Sequence, residues 1–159
     1  MGEQIDFLVR KLREEGEALH ARLAALPPEA WERPVYSEGQ AWTARDVLAH
    51  LVSAERGHQR LIANVAGGGP GSPPDLNVDA YNRTHVAALA ERSPADLLAD
   101  LRSVRADSVA LVSGLTDADL ARRGNHPARG PETALADFIR IIFMHGKMHL
   151  RDVTRALNP

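Results

Sequence analysis

The chain has 159 residues, a formal net charge of −2, 44% hydrophobic and 25% charged residues, and no cysteine. That composition predicts one globular domain over residues 1–159 and excludes both a disulfide framework and a thiolate metal site. Basic residues form no stripe, the N-terminus is charged and amphipathic, and no apolar run approaches about 18 residues, so we expect a cytoplasmic protein with no nucleic-acid or membrane partner.

The first predicted helix covers residues 4–26, where leucine and isoleucine recur at spacings of three, four or their multiples. Pro27-Pro28 ends it, and a loop rich in proline and glycine follows. The second helix begins after Thr43, because Asp46 stands three residues later and completes a capping box.

A flexible Gly/Pro loop at 67–74 ends the second helix, and residues 76–91 predict a shorter one. Ser93 and Asp96 form another capping box around Pro94, which predicts a long helix that reaches Leu115.

The remaining segments are one or two helical turns at 116–120, a loop at 121–132 and a last helix at 133–157. No segment alternates strictly between apolar and polar residues, so we expect no strand. Four long amphipathic helices with short additional ones predict an all-α four-helix bundle.

Two histidines, His145 and His149, lie one turn apart in the centre of the apolar face of the last helix. Side chains four residues apart project from one helix face, with Cβ atoms about 6 Å apart. Both imidazoles can therefore bind one metal ion, and His50, in the apolar stretch of the second helix, is the best third ligand. Three imidazoles suit several divalent metals, zinc and nickel among them.

The same residues allow a second interpretation without a metal. A histidine on an apolar helix face is often a core residue whose nitrogens are hydrogen-bonded. Asp46 and Asp152 are candidate acceptors for the outer N–H of a ligating ring. For Asp46 the capping box alone is the favoured role, and for Asp152 a solvated or arginine-paired carboxylate is equally open.

Further side chains are candidates for lining a pocket beside the site: His58, Tyr81, Asn82 and His85. For His58 a packing role is the favoured alternative. We expect His20 and His126 to be solvated, since His126 falls in the predicted Gly/Pro-containing loop. Glu55 and Arg83 are expected on the surface.

Two segments, WTARDVLAHLVSAE at 42–55 and HGKMHLRDV at 145–153, resemble the signature segments of the DinB-like superfamily. The resemblance extends over nearly the whole chain and includes DAYNRTHVAAL at 79–89. It implies a four-helix bundle of up-down-down-up order, commonly a homodimer, with a divalent metal such as zinc or nickel. The implied ligands are the three histidines at 50, 145 and 149.

The superfamily includes thiol-dependent S-transferases and a mycothiol-dependent maleylpyruvate isomerase. The isomerase branch tends to carry glutamate where this chain has His145, so the all-histidine set looks more like the bacillithiol-transferase and DinB branches. The resemblance therefore implies a metal-dependent transferase that uses a low-molecular-weight thiol cofactor on a small electrophilic substrate, or a metal-dependent hydrolase. The alternative is a non-catalytic metal-binding or small-molecule-binding protein of the damage or stress response.

Overall fold

Over residues 2–158, which the computed structural model describes, the chain forms five α-helices, two short strands and two 3₁₀ turns. The helices are α1 (Glu3–Ala24), α2 (Ala44–Ala66), α3 (Val78–Ala87), α4 (Pro94–Ser113) and α5 (Leu135–Leu157). The strands are β1 (Arg123–His126) and β2 (Gly130–Ala134), and the 3₁₀ turns are Pro28–Ala30 and Asp119–Ala121.

The predicted capping boxes fix the starts of α2 and α4. The Thr43 hydroxyl accepts the Asp46 N–H at 3.3 Å, and the Asp46 carboxylate accepts the Thr43 N–H at 3.1 Å. Ser93 and Asp96 make the same reciprocal pair at the start of α4. The register of α2, and with it the direction in which His50 projects, therefore follows from a local signal.

The four long helices pack so that α1 and α2 each contact both α4 and α5, while α3 packs on α2. The prediction of a mainly helical bundle is therefore confirmed. Within residues 2–158, no helix combines the length and apolar character needed to cross a membrane.

Two apolar clusters fill the bundle, one toward each end. One joins α2 and α4 around Leu48 and Leu97, and the other joins α1 and α5 around Leu12 and Phe138. A group of polar side chains, here called the polar layer, lies near the middle of the long helices: His50, Glu55, His58, Arg105, Ser108, His145 and His149. The candidate site belongs to this layer.

The predicted loop at 121–132 is wrong, because residues 123–134 form a β-hairpin that leads directly into α5. Arg123 pairs with Ala134, and the register shifts at Asn125, whose backbone bonds to Pro70 and Ser72 of the Gly/Pro loop. Each strand has only four or five residues, too few for a clear alternation pattern. The hairpin moves the start of α5 from the predicted residue 133 to Leu135.

The Gly/Pro loop needs a glycine where it meets β1. Gly71 has φ of +87°, and a Cβ there would lie 2.5 Å from the carbonyl oxygen of Asn125. Only glycine combines that backbone conformation with so close an approach.

Candidate metal centre

The structure brings the three predicted histidines together. The Nε2 atoms of His50 and His145 are 3.1 Å apart, and those of His149 and His145 are 3.0 Å apart. The three rings meet nearly at right angles, at 80–83°. His50 and His149 are buried and His145 is half-buried. One ligand nitrogen from each residue can be chosen so that all three lie within 4.8 Å of one another.

The two short contacts cannot both be separate hydrogen bonds between neutral rings. Tyr36 donates its hydroxyl proton to Asp152 at 2.7 Å, so Nδ1–H of His149 must be the donor to the Tyr36 oxygen, also at 2.7 Å. Nε2 of neutral His149 then carries a lone pair. His145 can direct a single Nε2–H at either His149 or His50, and if His50 donates instead, two lone pairs face each other at 3.0 Å.

A divalent cation fits this donor set. Bonds of about 2.0–2.1 Å to one zinc ion would hold imidazole nitrogens about 3.3 Å apart, close to the observed separations. Metal binding also requires a proton on every outer nitrogen, and Nδ1 of His149 already has its acceptor in Tyr36.

The outer nitrogen of His50 has no such acceptor. Among the described residues, it is a fully buried side-chain nitrogen without a hydrogen-bond partner. The Asp46 carboxylate accepts from Thr43 and Arg45 instead, and the ring of Trp42 lies 4.8 Å from that of His50. The capping role of Asp46 is thus observed, and the structure contains no bond from Asp46 to His50.

Asp152 reaches the site through Tyr36, a residue that the sequence analysis missed. Tyr36 lies in the Pro/Gly-rich segment before α2, 113 residues from His149, and no local pattern identifies it. Burial and the Asp152 carboxylate raise the pKa of Tyr36, which keeps its hydroxyl protonated. The Asp152 carboxylate therefore acts on His149 through a neutral hydroxyl.

Burial keeps the histidines of the cluster neutral. Together with the neighbouring imidazoles, which contribute less, it lowers the pKa of His50 to about 3 and that of His145 to about 2. Burial also lowers the pKa of His149, against the opposing charge of Asp152. At pH 7 all three rings are therefore in the neutral form that metal coordination requires.

Beside the cluster lies a second imidazole pair, His58 and His126, whose Nε2 atoms are 3.2 Å apart. Nδ1–H of His58 donates to the Ala54 carbonyl, and Nδ1 of His126 accepts the Ala128 N–H. His126 therefore carries its proton on Nε2 and donates it to His58. The expectation that His126 is solvated is wrong: it is 3% exposed and packs edge-on against Phe138, because the hairpin carries it inward.

The remaining candidates lie on α3. The rings of Tyr81 and His85 stack 3.9 Å apart, Nδ1–H of His85 donates to the Tyr81 carbonyl, and the Tyr81 hydroxyl accepts from Arg60. Asn82 is half-buried. Among the described residues, none of the three makes a hydrogen bond to the histidine cluster.

Glu55 is not on the surface as expected. Its carboxylate is 5% exposed and receives two hydrogen bonds from Arg105, at 2.7 and 3.0 Å, and one from Ser108 at 2.7 Å. Helix periodicity alone could not identify this pair, because the partner lies 50 residues away on α4. Arg83 is exposed, as expected.

A groove of about 620 Å³ runs between α1 and α4, away from the histidines. Leu19 and Leu101 form part of its apolar wall, and Arg13, Arg102 and His20 add polar groups. None of the three clustered histidines lines this groove, so the groove is not part of the candidate metal centre.

The family model described as the DinB superfamily matches residues 11–153. No curated protein matches the sequence. Among solved structures, the chain is similar to YfiT from Bacillus subtilis, described as a probable metal-dependent hydrolase with an unusual four-helix bundle topology. The identity is 20% and the TM-score 0.74, over 98% of this chain and 87% of YfiT.

Two further solved structures share the fold. A mycothiol-dependent maleylpyruvate isomerase is 11% identical with a TM-score of 0.77, over 96% of this chain and 63% of the longer isomerase. The colibactin self-resistance protein ClbS, solved in complex with double-stranded DNA, is 13% identical with a TM-score of 0.70, over 97% of this chain and 95% of ClbS. At these identities the likeness establishes the fold alone.

Proposed function

Because the chain belongs to the DinB superfamily, we propose that His50, His145 and His149 bind one divalent metal ion and that the protein is a metal-dependent enzyme. The observation that carries this proposal is the convergence of three Nε2 atoms, because neutral rings cannot link them by two separate hydrogen bonds. Zinc and nickel are the metals we expect. YfiT, which shares the fold, is described as a probable metal-dependent hydrolase.

We further propose that the nucleophile is a low-molecular-weight thiol. Its sulfur forms a bond to an electrophilic carbon of a small molecule, while the thiol proton and a leaving group such as a halide are released to solvent. A bound divalent metal supplies positive charge that lowers the pKa of a coordinated thiol or water. The chain has no cysteine, so a thiol nucleophile has to come from solution. The isomerase of the same fold is mycothiol-dependent, which supports this chemistry.

The residues of the chain have distinct parts in this proposal. Three neutral imidazoles do not offset the positive charge of a bound metal ion, so that charge would act fully on a coordinated thiol or water. Tyr36 and Asp152 hold the His149 ring with its Nε2 lone pair directed at the other two rings. The buried setting of His50 limits competition by water at the site.

We also propose the up-down-down-up order for the four long helices within a single domain, in a homodimer. Arg45 bonds to the Arg92 carbonyl near the starts of α2 and α4, and Gln59 bonds to Ser108 further along both. These two contacts support parallel α2 and α4, as that order requires.

The test begins with untagged protein, because a histidine tag binds metal by itself. We expect about one zinc or nickel ion per chain by elemental analysis, and binding of Zn²⁺ by the metal-free protein in calorimetry. Consumption of a thiol with a haloarene, measured with and without metal, then separates a transferase from a hydrolase and from a non-catalytic binding protein. Metal-free protein that binds no divalent ion would overturn the proposal.

A further inference from the structure

The proposed function leaves the buried Glu55 without a role. A buried ion pair such as Glu55–Arg105 often stabilises a fold no better than apolar side chains of the same volume would. Glu55 lies on α2 between His50 and His58, within the polar layer. The residues and the cavity around its carboxylate therefore indicate which further contact Glu55 makes.

A small cavity of about 10 Å³ adjoins Glu55, and His145, His58 and Arg105 contribute to its wall. A cavity needs roughly 10–15 Å³ to hold one water molecule, so this one accepts a single water and nothing larger. Both nitrogens of His58 are already engaged, by the Ala54 carbonyl and by His126.

The other three polar residues around the cavity keep unused hydrogen-bonding capacity. Nδ1 of His145 makes no hydrogen bond to any residue that the structure describes, while its Nε2 faces His50 and His149. Oε2 of Glu55 accepts only from Arg105, and Arg105 uses three of its five N–H groups. One water would thus have three polar partners, the usual number for a buried water.

We infer that a buried water in this cavity links Nδ1–H of His145 to the Glu55 carboxylate, so that Glu55 positions His145 as a metal ligand. The inference rests on the proposed metal site, because only coordination through Nε2 requires the proton of His145 to be on Nδ1. A carboxylate that accepts this proton through water fixes the ring and raises the basicity of Nε2. Glu55 would thus orient the ring of His145 in the same way that Tyr36 and Asp152 orient the ring of His149.

The test compares Glu55→Gln with Ser108→Ala as its matched control. Both change the hydrogen bonds of the same buried carboxylate, but Ser108→Ala keeps its charge and the cavity wall. We expect Glu55→Gln to weaken Zn²⁺ binding about 10- to 100-fold in a chelator competition, and Ser108→Ala to stay within about twofold. The ¹⁵N resonance of His145 Nδ1 in the zinc-loaded protein should shift in Glu55→Gln only.

Equal affinities in Glu55→Gln and Ser108→Ala would overturn the inference while the metal site stands. Wild-type protein that binds no zinc would instead overturn the proposed function. If Glu55→Gln does not fold, a high-resolution crystal structure of the zinc-loaded wild type decides. A water within about 2.6–3.2 Å of both His145 Nδ1 and a Glu55 oxygen supports the inference, and no water at that position overturns it.

Discussion

Two imidazole clusters lie side by side in this bundle, and their nitrogens are equally close. The Nε2 atoms of His58 and His126 are 3.2 Å apart, and those of His50 and His145 are 3.1 Å apart. In the first pair every ring nitrogen has a suitable partner. A backbone carbonyl accepts from Nδ1 of His58, a backbone N–H donates to Nδ1 of His126, and Nε2–H of His126 then donates to His58. In the second pair this is not so: a third ring competes for the same proton, and Nδ1 of His50 has no hydrogen-bond partner among residues 2–158.

The comparison shows that the partners of the outer (Nδ1) nitrogens determine whether a histidine cluster can bind a metal ion or only form a hydrogen bond between its rings. Nδ1 of His126 accepts the Ala128 N–H, so it cannot also carry the proton that coordination through Nε2 requires. The pair is thus built as a hydrogen bond between the hairpin and α2. The cluster of three leaves every Nε2 lone pair free to point at one centre.

The largest expected contrast is in metal affinity. We expect His145→Ala to weaken Zn²⁺ binding by about 100-fold or more. Losing one of three ligands should remove roughly a third of a binding free energy of about 10 kcal/mol, and each 1.4 kcal/mol changes the affinity about tenfold. His126→Ala removes another buried imidazole and should change the affinity less than about threefold. Calorimetry on both folded variants checks this, and similar losses would contradict the distinction between the clusters.

Acid should destabilise the metal-free protein through the His58–His126 pair. Burial, with smaller contributions from His58 and Arg129, lowers the pKa of His126 from 6.5 to about 4. Between these values the unfolded chain therefore binds more protons than the folded one. The stabilising contribution of the neutral ring is complete above pH 6.5 and falls as the pH drops toward 4. The total approaches about 3 kcal/mol.

Urea unfolding of metal-free wild type and His126→Leu, at pH 7 and at pH 4.5, measures this effect. The wild type should lose more stability than the variant on acidification, because the variant lacks one of the buried histidines that titrate. Parallel pH profiles for the two proteins would contradict the assignment of that loss to His126.

At neutral pH, a leucine substitution should destabilise the metal-free protein in the His58–His126 pair but not in the cluster of three. His126→Leu leaves the His58 Nε2 lone pair buried without its donor, which costs about 1–3 kcal/mol of unfolding free energy. His50→Leu removes a buried nitrogen that has no partner, so we expect no loss, or a gain of up to about 1 kcal/mol. Urea unfolding of both variants, each stripped of metal, decides. A larger loss in His50→Leu would show that the three rings satisfy one another without a metal.

How far the sequence predicted these features depends on the distance between interacting residues. The capping boxes at Thr43 and Ser93 and the apolar helix stripes are local, and the structure has them as predicted. The convergence of His50 with the histidines of α5 was also accessible, because helix periodicity placed each on a buried face.

The tertiary contacts that the sequence analysis missed join segments far apart in the chain. The hairpin is anchored through Asn125 to a loop more than 50 residues earlier, and that contact buries His126. Glu55 meets Arg105 across 50 residues, and Tyr36 meets His149 across 113. A single sequence contains no periodic signal for such pairs, so a polar residue near an apolar face could be assigned only its commonest, solvated role.

The smallest expected effect tests the Tyr36 contact. Tyr36→Phe removes the hydroxyl that receives Nδ1–H of His149 and bonds to Asp152, so the ligand ring loses its orienting partner. We expect Zn²⁺ affinity to fall about tenfold, the lower end of the range for such outer partners. Tyr81→Phe is the matched control, because it removes a tyrosine hydroxyl that bonds to Arg60 and makes no bond to His50, His145 or His149. Chelator competition on both variants measures the difference. Unchanged affinity in Tyr36→Phe would mean that burial alone orients His149 and that its outer hydrogen bond contributes nothing to metal binding.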